Sequence, residues 1–115
     1  LGGEIFVRKS PACTIGKLAD AVCQKFSRQG ADHPVDITGI RPGEKLHEVM
    51  ITQDDARNTV EMEDRYMILP SFKFWDHDAP IPKNAKPVAE DFVYSSDNNN
   101  DWLSVDRLKQ YIAEL

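Results

Sequence analysis

No Gly-x-Gly-x-x-Gly follows a strand-like run anywhere in these 115 residues, so the chain encodes no dinucleotide cradle. Tyr-x-x-x-Lys is missing too: Tyr66, Tyr94 and Tyr111 are followed four positions later by Pro70, Asn98 and Leu115. Signatures of a nucleophilic triad are absent. No apolar run approaches the ~18 residues that a membrane-crossing helix needs, and no signal peptide is visible. Cysteine is scarce. Cys13 and Cys23 lack metal-type spacing and read as reduced thiols of a cytoplasmic protein. His33, His47 and His77 lie in separate segments and form no ligand pair, which excludes a metal site by spacing. Basic residues are outnumbered, 14 against 19 acidic, and the net charge of −5 argues against nucleic acid or an acidic membrane as partner. The absences thus leave no catalytic residue, cofactor site or metal site in the chain.

What remains is enough for one small domain, residues 1–115. A chain of this length buries roughly two-thirds of its unfolded surface, so a hydrophobic core is attainable. Its opening, Leu1-Gly2-Gly3 without Met, suggests a fragment or a processed product.

Glu4 to Val7 reads as a strand because Ile5, Phe6 and Val7 favour extended backbone. Thr14 is placed to N-cap a helix over Ile15 to Arg28, with Gly30 as its stop. Ile15, Leu18, Val22 and Phe26 recur at spacings of three and four and form one apolar face. Val35 to Ile40 reads as a second strand. Glu44 to Ile51 fits a short helix or an extended arm, and Asp54 to Asp64 a solvated loop or helix. Arg65 to Leu69 is a compact apolar strand. Pro80, Pro82 and Pro87 predict an irregular loop over about 70–91. Extended character returns at Phe92 to Ser95, followed by an Asn-rich turn. Ser104 starts the last helix as N-cap, with Leu103 and Leu108 spaced for a hydrophobic staple. The order is that of a small mixed α/β domain.

Chemistry concentrates in the run Gly39-Ile40-Arg41-Pro42-Gly43-Glu44-Lys45-Leu46-His47-Glu48. The Arg41 guanidinium is a planar fork of donors that matches two phosphate oxygens at once. Pro42 biases Arg41 toward extended backbone, and Gly43 permits a close turn. Glu44 can accept hydrogen bonds from ribose hydroxyls. Taken alone, the same four residues read first as a surface turn with an Arg–Glu ion pair. Lys9, beside Arg8, either adds charge to an anion pocket or is a solvated cation. Tyr94, Asn98, Asn99 and Asn100 could meet sugar hydroxyls, although consecutive Asn residues also suit a turn. Trp75 and Trp102 could stack on a base or anchor a loop. Glu61, Glu63 and Asp64 read as a solvated acidic stretch rather than a carboxylate dyad.

Several segments together resemble one family. They are Gly3-Glu4-Ile5-Phe6-Val7-x-Lys9, the run Gly39 to Ile51, Asp54-Asp55-Ala56-Arg57-Asn58-Thr59, Pro87-Val88, and Tyr94-Ser95-Ser96-Asp97 followed by Asn99 and Trp102-Leu103. In that order they are similar to the C-terminal third of the inverting UDP-N-acetylglucosamine 4,6-dehydratases, lyases of the polysaccharide-biosynthesis branch of the extended short-chain dehydrogenase/reductases. The resemblance implies a nucleotide-sugar-binding C-terminal domain, without its Rossmann domain, from an enzyme of polysaccharide or surface-glycan biosynthesis. It implies that Arg41 contacts the UDP diphosphate, that Glu44 meets the uridine ribose, and that Asn99 and Asn100 lie beside the substrate. Lys9 matches a family lysine whose role is open. NADP and the Tyr-x-x-x-Lys pair would sit in the N-terminal Rossmann domain, so this chain would not be catalytic alone. The implied partners are the UDP-sugar, a Rossmann domain on the same or a separate chain, and a second copy through an uncovered apolar face.

The pattern also departs from the family. Arg8 stands where dehydratases often have Pro, and Ser10-Pro11-Ala12 resembles the related C4 epimerase branch. Pro42, Ala56-Arg57-Asn58 and Trp102-Leu103 favour the dehydratases. A C4 epimerase fragment and a stand-alone interaction module remain the alternatives.

Overall fold

The computed structural model describes residues 2–72 and 81–114. Trp75, His77, Pro80 and the middle of the loop expected over 70–91 lie outside the described residues. The chain divides into two compact units, Leu1–Ser10 with Glu48–Asn98, and Pro11–His47 with Asn99–Leu115.

The first unit is mostly β. Strand β1 (Ile5–Arg8) pairs antiparallel with β4 (Arg65–Ile68), and β4 pairs with β3 (Thr59–Glu61). β3 also pairs with the short β5 (Lys86–Pro87), so the sheet order is β1-β4-β3-β5. A second, two-stranded sheet joins β2 (Val49–Ile51) to β6 (Tyr94–Ser95). Between β2 and β3 stands one helical turn, α2 (Gln53–Ala56). Ile51, Tyr66 and Tyr94 form the core, with Val7, Ile68, Val88 and Phe92 packed against them. The Tyr66 ring lies 5.1 Å from both the Phe92 and Tyr94 rings, at tilted angles of 45° and 49°. Such inclined contacts between aromatic rings are favourable beyond the area they bury.

β3 was not expected, because Asp54 to Asp64 is polar overall. Its buried pair, Thr59 and Val60, sits inside that polar stretch. The Thr59 hydroxyl donates to the Asp55 carbonyl at 2.8 Å, which makes its burial affordable.

The second unit pairs two helices, α1 (Ile15–Phe26) and α3 (Val105–Ala113). Both begin as expected. The Thr14 and Ser104 hydroxyls accept the N–H groups of Lys17 and Arg107, each at 3.3 Å, satisfying orphan donors of the first turn. Ala21, Leu103 and Leu108 make the core, joined by Cys13, Val105 and Ile112. Leu103 and Leu108 therefore form the expected staple. Residues Gly30–Asp32 form a 3₁₀ turn after α1, which ends at Phe26 with Ser27 as its C-cap, short of Arg28.

One expectation fails here. Val35 to Ile40 forms no strand; it is irregular and exposed, with Ile37 at 95%. Its apolar residues find no neighbouring strand in the unit to pair with, and β-propensity without a partner does not make a sheet. The expected apolar face of α1 is present and uncovered. α3 packs on the Ala21 side, where the small side chain admits close approach, and Ile15 is left 80% and Phe26 67% exposed.

Candidate functional site

Residues Arg41 to Glu44 form a turn closed by two hydrogen bonds. The Glu44 N–H donates to the Arg41 carbonyl at 3.1 Å. With Pro42 second and Gly43 third at φ +86°, this is the pattern of a type II turn. Proline presets the second position and glycine accepts the positive φ that other residues resist. The second bond runs the other way: the Arg41 N–H donates to Glu44 Oε2 at 2.9 Å. The anticipated ion pair is loose by comparison, with Arg41 Nε 3.9 Å from Glu44 Oε1. Arg41 keeps its side chain 83% exposed, so the guanidinium fork faces solvent. An acidic residue three positions after Arg in Arg-Pro-Gly-Glu was the sequence signal for the carboxylate-to-backbone bond, and ion-pair reasoning passed over it.

Asn99 and Asn100 belong to the same unit. Asn99 Oδ1 accepts the Asp101 N–H at 2.8 Å, a local bond that shapes the chain toward α3. Asn100 is exposed. Asp101 continues the ordering, accepting from Arg107 at 2.8 Å and receiving the Ala12 N–H on its carbonyl at 2.9 Å. Trp102 bridges to Ala12 as a loop anchor while remaining 42% exposed.

Lys9 lies in the β unit, as do Tyr94 and Asn98. Its ammonium is 2.7 Å from Glu61 Oε1 and 5.1 Å from the centre of the Tyr66 ring. The Glu61 hydrogen bond raises the Lys9 pKa above its ordinary value. Burial raises that of Tyr66, since a phenolate is costly where water is scarce. The Tyr94 hydroxyl is occupied by the Ser10 backbone, accepting its N–H at 2.9 Å and donating to its carbonyl at 3.1 Å. Asn98 closes a turn, its side chain binding the Ser95 N–H and the Val93 carbonyl. The Tyr94 side chain is buried and so occupied, while the exposed Asn98 amide is engaged in its turn.

Carboxylates line two clefts of the β unit. One, of about 560 Å³, is lined by Gln53, Asp54, Arg57, Glu90 and Asp91, three carboxylates against one guanidinium. Another, of about 540 Å³, sets Lys9 and Lys86 against Glu61 and Glu63. Among the described residues no cluster of His, Cys, Asp or Glu could hold a metal ion, and no helix is long and apolar enough to cross a membrane. Cys13 and Cys23 are free thiols.

Comparison with known proteins adds a second line. Residues 1–70 match the family described as polysaccharide biosynthesis protein. A UDP-N-acetylglucosamine 4,6-dehydratase (inverting) of Campylobacter jejuni is 44% identical, over 96% of this chain and 33% of its own length. A UDP-glucose 4-epimerase of Rickettsia canadensis is 30% identical, over 98% of this chain and 32% of its own. Among solved structures, the X-ray structure of Pen from Bacillus thuringiensis superposes with a TM-score of 0.77 at 25% identity, covering 98% of this chain and 32% of that one. The chain thus spans about a third of the length of the curated relatives it matches.

Proposed function

The chain belongs to the polysaccharide biosynthesis protein family, and from that premise we propose that it is the UDP-sugar-binding part of a UDP-N-acetylglucosamine 4,6-dehydratase. The observation that carries this reading is the Arg41–Glu44 turn, which holds an open guanidinium beside a carboxylate. A guanidinium so placed takes a diphosphate through charge-assisted hydrogen bonds. Glu44 retains acceptor capacity on Oε1 for the ribose hydroxyls, because a carboxylate offers about four lone-pair sites. Asn99 and Asn100, in the same unit, are the candidates for the sugar hydroxyls through their amide donors. Lys9 is the fifth candidate, and Glu61 competes for its ammonium.

The chain binds and does not transform. NADP, on a Rossmann domain in the same polypeptide or a separate one, would supply hydride transfer, and the Tyr-x-x-x-Lys pair would sit beside it. The uncovered α1 face of Ile15, Leu18, Val22 and Phe26 suits that domain, and without it supports self-association. The compartment that fits two free thiols and a nucleotide-sugar substrate is the cytoplasm.

A C4 epimerase is the second reading. It is favoured by the likeness to the Rickettsia canadensis protein and by Ser10-Pro11-Ala12. Titrating UDP-N-acetylglucosamine into isotope-labelled protein tests the binding role. Amide shifts clustered at Arg41, Gly43, Glu44, Asn99 and Asn100 support it. Shifts confined to other segments, or none at millimolar ligand, contradict it.

A further inference from the structure

The Arg41–Glu44 turn uses its carboxylate in a way that a ribose contact does not require. Glu44 Oε2 accepts the backbone N–H of Arg41 at 2.9 Å, while the Glu44 N–H returns to the Arg41 carbonyl at 3.1 Å. Main chain and side chain of one residue therefore fasten both backbone groups of the other. The segment needs such fastening. Residues 33–48 form no helix or strand, and every one of them is exposed, so packing contributes little to fixing Arg41. An untethered arginine carries about 2 kcal/mol of side-chain entropy into any complex, added to the backbone freedom of its loop. A closed ring of two hydrogen bonds around Pro42 and Gly43 removes much of the backbone share before a ligand arrives.

We propose that Glu44 is a positioning residue that aims the Arg41 guanidinium at a diphosphate. This rests on the diphosphate reading above and adds a role that is independent of any sugar contact. Oε1 stands 3.9 Å from Arg41 Nε, a charge contact without a hydrogen bond, and the 83% exposed guanidinium leaves its nitrogens to the ligand. The expected consequence is that Glu44 matters even for a ligand that has no ribose.

The experiment compares inorganic pyrophosphate with UDP on the intact chain, for wild type, Glu44→Ala and Glu44→Gln. Glu44→Ala weakens pyrophosphate on the order of tenfold, the equivalent of about 1.4 kcal/mol, and weakens UDP by at least as much because the ribose contact goes with it. Glu44→Gln keeps both within about threefold, because its amide oxygen still accepts the Arg41 N–H. A Glu44→Ala chain that loses UDP affinity yet binds pyrophosphate like wild type overturns the positioning role and leaves a ribose contact alone. Amide hydrogen exchange at Arg41 provides a readout without ligand. Exchange accelerates in Glu44→Ala and is restored in Glu44→Gln; unchanged exchange in Glu44→Ala overturns the lock. If wild type binds neither ligand, the diphosphate reading fails, and the aiming role fails with it, while the exchange data still decide whether the lock exists.

Discussion

Tyr94 and Ser10 bind each other twice, through one hydroxyl that accepts the Ser10 N–H at 2.9 Å and donates to the Ser10 carbonyl at 3.1 Å. The pair fixes the end of β1 to the core ring of β6, although the residues are 84 positions apart. Tyr94→Phe removes both bonds and keeps the ring packing. The expected loss is about 1–3 kcal/mol in urea denaturation. UDP affinity of the folded variant should equal that of wild type. A variant with unchanged stability and weakened UDP binding would return Tyr94 to the list of sugar contacts.

Alkali should loosen the β unit through Lys9 and Tyr66. Both folded-state pKa values are raised, Lys9 by its hydrogen bond to Glu61 and Tyr66 by burial. Each group then favours its protonated form in the fold. Its contribution is whole below the unfolded values, near 10 for both groups, and is lost as pH rises through the higher folded values. The melting temperature should accordingly fall above about pH 10. Glu61→Gln weakens the leading cause of the Lys9 shift and should flatten part of that fall. An identical pH profile for wild type and Glu61→Gln would contradict the assignment. The pair itself is half open to solvent, so Glu61→Gln costs under about 1 kcal/mol at neutral pH.

Gly43→Ala tests the turn. Open space surrounds the position where a Cβ would stand, so no clash arises, but φ +86° is strained for alanine. The strain is about 1–2 kcal/mol, and UDP affinity should fall by roughly tenfold if the turn must form for binding. Equal affinity would show that the turn relaxes on complex formation.

The two sides of α1 should respond oppositely. Phe26→Ser and Ile15→Lys alter exposed positions and should change stability by no more than about 0.5 kcal/mol. Both should reduce self-association measured by light scattering. Ala21→Leu overfills a fully buried contact with α3 and should cost about 1–3 kcal/mol. A strong destabilisation by Phe26→Ser would mean that the stripe is covered within the chain after all.

The sequence made local features legible where one residue decides them. Thr14 and Ser104 announced their helices because a cap is a property of one side chain and the three residues after it. The Leu103–Leu108 staple was readable for the same reason. β3 was hidden because its burial depends on β4 and β5, not on the acidic residues around Thr59 and Val60. Val35 to Ile40 misled in the opposite sense: its β-branched residues promised a strand, and no partner strand meets them. Periodicity found the α1 stripe but could not tell which side α3 would choose. At the candidate site, Arg-Pro-Gly-Glu gave the turn and the residue types. The spacing in Arg-Pro-Gly-Glu also signals the bond from Glu44 to the Arg41 backbone, but an ion pair needs the same two residues at the same spacing, so the sequence does not choose between them. Asn98 and Tyr94 carried sugar-binding chemistry by type, but the fold uses both to hold backbone.

The affinity of the intact chain for UDP, with and without Arg41→Ala, tests the central claim most directly. A solvent-facing guanidinium that takes the diphosphate is worth about 1.5–3 kcal/mol, so the substitution should weaken binding by about tenfold to a hundredfold while leaving uridine binding unaltered. Equal UDP affinity in the two chains, measured by calorimetry or NMR titration, would contradict the account.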